Sequence, residues 1–83
     1  MTLDAYFEPA AKLVVQNQIG STSFIQRKLN LSYSRALHVI NLLEIAGIVG
    51  PTIGATPREV FPKSESDLEV VIRKFKENRL GLK

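Results

Sequence analysis

Three short runs gather the side chains of this sequence best suited to chemistry on a partner. They are Arg27-Lys28, the stretch Ser34-Arg35-Ala36-Leu37-His38, and Pro57-Arg58-Glu59. An arginine carries five N–H donors in a rigid fork, and two of them fit guanine O6 and N7 in the major groove of a duplex. A lysine neutralises a phosphate as a compact point charge. Such backbone contacts position a protein without specifying sequence, and that is the role expected of Arg27 and Lys28. Ser34 can donate or accept with base or phosphate, so it specifies less than Arg35. His38 is the only histidine, and one imidazole makes no metal centre. Arg58 is expected to reach the minor groove or the backbone. The bland alternatives stay open: Arg35 pairing with Glu44, Arg58 pairing with Glu59 or Glu44, and His38 as a solvated polar residue.

Catalysis would need a nucleophile with a base, paired carboxylates in a cleft, or a cluster of metal ligands. The sequence has no cysteine, one histidine and eight scattered acids, so no enzyme, catalytic residue, cofactor or metal is expected. Without cysteine there is neither a disulfide framework nor a zinc finger. At 83 residues there is room for one small core. A hydrophobic fraction of 45% against 23% charged argues against a disordered chain. No apolar run approaches the ~20 residues that cross a bilayer. The N-terminal MTLDAYFEP carries an acid where a signal peptide carries a base, so a cytoplasmic location is expected. The formal charge is +3, and residues 21–50 hold +2 of it, through Arg27, Lys28 and Arg35 against Glu44. A basic middle gains meaning when it coincides with a nucleic-acid-binding architecture.

Periodicity supplies that architecture. Phe7, Ala10, Ala11 and Val14 recur at i, i+3, i+4 and i+7, predicting an amphipathic helix over 7–17 with Pro9 tolerated in its first turn. Ser23 with Gln26 reads as a capping box opening a short helix with Phe24, Ile25 and Leu29 inward, and Asn30 reads as a left-handed terminator. Ser32 is expected to cap a third helix over 33–46, stopped by Gly47. Its inward stripe is Ala36, Val39, Ile40, Leu43 and Ala46; Ser34, His38 and Asn41 face the other way, with Arg35 beside them. The tight Asn30-Leu31 connection makes the second and third helices a helix-turn-helix unit.

Residues 47–59, GIVGPTIGATPRE, place an apolar pair between glycines, then two prolines around a small flexible segment. Ile48-Val49 and Glu59-Val60-Phe61 read as two strands, with both prolines at strand margins. The predicted fold class is therefore α+β: a winged helix-turn-helix of three helices and a small β-hairpin wing, with an added C-terminal helix. Ser66 with Glu69 predicts a second capping box, and Leu68, Val71, Ile72 and Phe75 form the stripe of a helix over 64–78. Residues 1–63 are expected to be the DNA-binding domain and 64–83 a helical extension.

The residues from Ala10 to Val60 resemble the γ domain of FtsK/SpoIIIE-type DNA translocases. The resemblance rests on AAKLVVQNQIGSTSFIQRKLNLSYSRA, LLEIAGIVGP and TPREV, in that order and spacing. It implies a winged-helix domain at the end of a chromosome-segregation and cell-division motor. Such a domain reads guanine-rich polar signals in double-stranded DNA and contacts a tyrosine-type site-specific recombinase. The parent motor would be membrane-anchored, with a P-loop; no GxxxxGK[ST] run occurs in this sequence. The family's recognition helix typically begins Tyr-Asn-Arg-Ala-Ala-Arg. Here Tyr33, Arg35 and Ala36 match, Ser34 replaces the asparagine, and His38 replaces the second arginine. In the wing Thr56 replaces a lysine while Pro57, Arg58 and Glu59 remain. The rival expectation is a winged helix used for protein–protein interaction, with weak or no DNA binding and with Ile45, Leu42 and Ile53 as contacts.

Overall fold

The computed structural model describes residues 5–54 and 56–79. Four helices carry the fold: α1 (Phe7–Asn17), α2 (Thr22–Leu29), α3 (Tyr33–Ile45) and α4 (Glu65–Arg79). The molecule is small and mostly helical, with little strand.

The apolar stripes meet as their spacing requires. Phe7, Ala10, Ala11, Val14 and Val15 of α1 are buried together with Ile25 of α2 and Ala36, Val39, Ile40 and Leu43 of α3. Ile48, Val49 and Val60 close the core from the segment after α3. Leu68 and Phe75 seal it from α4, and the Phe75 ring stacks on Phe7 at 5.4 Å between centroids. Val71 and Ile72 pack half-buried beside them. The Lys76–Glu8 ion pair at 2.6 Å, both side chains over 40% exposed, adds little to the α1–α4 contact.

Local chemistry sets where the helices start and stop. α1 ends on Gln18, a left-handed residue at φ 54, whose backbone N–H donates to Val14 O. Asn30 ends α2 in the same conformation at φ 55, as its sequence predicts. The cap of α2 is Ser21 and not Ser23: the Ser21 hydroxyl accepts from the Phe24 N–H, and Ser23 lies inside the helix. The cap of α4 is Ser64 and not Ser66, through a 3.2 Å bond from the Asp67 N–H. Both corrections have one cause. Serines stand two apart in each run, and the earlier one is the residue whose carbonyl accepts the first helical bond, from Ile25 N–H or Leu68 N–H. Ser32 caps α3 as expected, accepting from the Arg35 N–H at 3.2 Å. Gly47 at φ 83 takes the chain out of that helix in a conformation side-chain-bearing residues avoid.

The segment after α3 is less regular than two strands. Among the described residues its pairing consists of isolated antiparallel bridges, Val49 with Val60 and Ile53 with Thr56. Gly50 N–H donates to Glu59 O at 2.9 Å and Phe61 N–H to Ile48 O at 3.0 Å. Pro51 and Pro57 lack the N–H that a continuous ladder needs, so the pairing stays discontinuous. A third bridge joins Arg58 to Gly20 in the α1–α2 turn.

Candidate nucleic-acid interface

The polar residues of α3 lie where helical periodicity puts them. Ser34, His38 and Asn41 are exposed on the side opposite Ala36, Val39, Ile40 and Leu43, and Arg35 is exposed at the flank beside them. Arg35 stands in the first turn of α3, its guanidinium carbon 5.6 Å from the centre of the Tyr6 ring. That stacking lends the long side chain a defined direction.

Arg27 and Lys28 occupy the last turn of α2, where cations suit the negative end of the helix dipole. Both are exposed. Arg27 Nε donates to Ser23 O at 3.3 Å, and the Lys28 ammonium lies 5.9 Å from the centre of the Phe24 ring. The aliphatic stems are thus fastened to the helix while charge remains at the surface.

The start of α2, the start of α3 and the loop 50–57 meet around one open cleft of about 280 Å³. Ser21, Thr22 and Ser23 line it from α2, Tyr33 from α3, and Thr52 and Thr56 from the loop. Gly20, Gly54, Pro57 and Arg58 complete the lining, which is rich in hydroxyls and holds no carboxylate. Tyr33 is 58% exposed, so its ring presents an unused face at this edge.

Arg58 is arranged differently from the other basic residues. Its Nη1 donates to Glu44 Oε1 at 2.9 Å and its Nη2 to Asn41 Oδ1 at 3.2 Å. The sequence left Glu44 and Glu59 open as its partners; the structure pairs it with Glu44. Asn41 carries no local sign of this bond, because it lies 17 residues from Arg58. Of the apolar residues expected at the surface, Ile45 is 65% and Ile53 71% exposed. Leu42 is half-buried against the core, because its place on α3 borders Leu43 and Val39 more closely than a strict opposite face would. Among the described residues, no three His, Asp or Glu side chains stand together as metal ligands, and no helix is long and apolar enough to cross a membrane.

The family model described as the FtsK gamma domain matches residues 2–63. Proteins called DNA translocase FtsK are similar to this chain in several bacteria. That of Chlorobaculum tepidum is 49% identical over 70 residues, 84% of this chain and 9% of its own length. That of Chlamydia muridarum is 49% identical over 60 residues, 72% and 8% respectively. That of Mycobacterium tuberculosis is 46% identical over 59 residues, 71% and 7%. The chain thus spans less than a tenth of the length of these curated relatives. With three quarters of its residues inside the family model and relatives near half identity, the chain belongs to the FtsK gamma domain family.

Proposed function

We propose that this domain binds double-stranded DNA as a winged helix, with α3 in the major groove and the loop 50–57 as the wing beside it. The reading takes residues 1–63 as the DNA-binding unit and 64–83 as its extension; residues 1–4, 55 and 80–83 of these ranges lie outside the described residues. The observation that carries it is the shared cleft: the start of α3 and the loop 50–57 border one hydroxyl-lined space free of lining carboxylates. The basic pair Arg27-Lys28 lies exposed on the helix before α3. Two discontinuous bridges are a spare form of the wing, consistent with its two prolines.

In this arrangement Arg35 donates to a guanine edge, Ser34 and His38 add contacts in the same groove, and Arg27 and Lys28 neutralise phosphates. Arg58 stands at the base of the wing, where it joins the segment to α3. The preferred target is a guanine-rich polar signal, read in the setting of a DNA translocase, since the relatives bear that name. Orientation of a chromosome-segregation motor and contact with a site-specific recombinase follow the same reading. The isolated domain is small and only +3 in charge. Its non-specific binding is therefore expected near ~10⁻⁴–10⁻⁶ M at physiological salt. Several copies on adjacent half-signals would raise affinity through effective concentration.

A second reading, a protein-interaction module with weak or no DNA binding, is favoured by Ile45 and Ile53, both more than 60% exposed. One titration separates the two. Duplex binding is measured against salt on guanine-rich and scrambled sequences. The DNA reading expects a log–log slope of about −0.9 for each phosphate neutralised. Absence of duplex binding at low salt would turn the assignment to the protein-interaction reading.

A further inference from the structure

Arg58 is 8% exposed in its side chain, although its neighbours Pro57 and Glu59 lie at the surface. It engages two other parts of the molecule at once. Its guanidinium donates to Glu44 and Asn41, which stand one turn apart on α3. Its backbone N–H donates to Gly20 O, in the turn between α1 and α2, at 2.8 Å. The approach to that turn is as close as a backbone allows. A Cβ added at Gly20 would lie 2.4 Å from Arg58 O, so only glycine fits.

These bonds matter because Ile48, Val49 and Val60 anchor only the two ends of the segment in the core, and the loop between them has little pairing of its own. Its own pairing is a pair of isolated bridges, and two of its residues are prolines without an N–H. A guanidinium that spends both prongs on Glu44 and Asn41 is also poorly placed to neutralise a phosphate. The approaching anion would meet the Glu44 carboxylate, which is 42% exposed.

We propose that Arg58 is a positioning residue: it fixes the segment 48–61, and with it the loop 50–57, against α3, and it neutralises no phosphate. The proposal rests on the reading of α3 and that loop as two members of one DNA interface. The wing then has its charge paired with α3 at the edge of the cleft, so it meets a duplex chiefly through its hydroxyls and backbone, held at a set distance from α3.

The test combines amide hydrogen exchange with a salt titration on the full chain and its Arg58→Ala variant. The amides of Gly50, Phe61 and position 58 are expected to exchange about tenfold faster or more, the worth of a charge-assisted hydrogen bond, while those of Val39 and Leu43 hold. Glu44→Gln, which removes no positive charge, should accelerate the same amides. Duplex affinity should fall in Arg58→Ala with a salt slope parallel to that of the unmodified chain. A slope shallower by about 0.9 with unchanged exchange makes Arg58 a phosphate contact and overturns the proposal. Equal acceleration at Val39 and Leu43 overturns it too, because Arg58 then only adds general stability. If Arg58→Ala does not fold, Arg58→Lys serves, since it keeps the charge but loses the two-pronged fork. Faster exchange at the three amides supports the proposal, and unmodified exchange there refutes it. Should the unmodified chain bind no duplex, the DNA reading fails, while the exchange results still decide the role of Arg58.

Discussion

The two sides of this molecule solve opposite problems. On the side of α1 and α4 the apolar stripes face inward. Phe7 and Phe75 stack, Leu68 is 2% exposed, and Lys76 pairs with Glu8. On the side where α2, α3 and the loop 50–57 converge, hydroxyls, Tyr33 and the basic pair stay at the surface, and the loop has few backbone bonds of its own. Stability therefore resides in the buried stripes that all four helices share, and the proposed recognition in the exposed faces of the second region. A substitution should disturb one without the other, except where a residue bridges them.

Leu43 should show the largest effect. It is fully buried between the stripes of α1 and α3, and truncation leaves a cavity that a close-packed core fills poorly. Leu43→Ala should destabilise by ~2–5 kcal/mol and lower the melting temperature by about 10 °C or more. A melt within a few degrees of the unmodified chain would mean α3 is turned otherwise.

Gly20 bridges the two regions and comes next. Gly20→Ala forces a Cβ against Arg58 O, so the backbone must part there. The expected cost is ~1–3 kcal/mol by denaturant unfolding, with the segment around Arg58 displaced more than α1 or α3. Unaltered stability would show that the turn yields freely.

Two smaller effects sharpen the contrast. Lys76→Ala removes an exposed ion pair and should cost less than ~1 kcal/mol, with no change in duplex binding. Lys28→Ala should change stability by no more than ~0.5 kcal/mol. It should weaken guanine-rich and scrambled duplexes alike and make the salt slope shallower by about one unit. If Lys28→Ala spares duplex binding and Lys76→Ala impairs it, the two sides have been assigned the wrong way round.

Much of this arrangement was legible in the residues, because helix periodicity is a strong local signal. The bounds of α1, the caps Ser32 and Asn30, and the inward stripes of α3 and α4 all follow from it. What the sequence could not arbitrate was choice among near neighbours. Ser21 against Ser23, and Ser64 against Ser66, are equivalent as cap residues until the path of the preceding turn decides between them. The paired segment was harder, since glycines and prolines signal a turn but not how much ladder survives beside it. Hardest was Arg58. A motif marks it as a surface base, yet its partners Glu44 and Asn41 come from an element 14 and 17 residues away. The fold, and not the local pattern, turns it inward. At the candidate interface the exposed face of α3 was readable from its spacing, whereas the ring of Tyr6 beneath Arg35 lies before α1 and carries no periodic signal.

Direct readout of a duplex by α3 is the claim on which the rest depends, and Arg35 tests it most directly. Fluorescence anisotropy is measured for the unmodified chain and Arg35→Ala on a guanine-rich duplex and on a scrambled duplex of equal length, at matched salt. Loss of a bidentate arginine–guanine contact should weaken the guanine-rich complex by ~1–3 kcal/mol more than the scrambled one. Equal weakening of both complexes would contradict the claim, because Arg35 would then touch only the backbone.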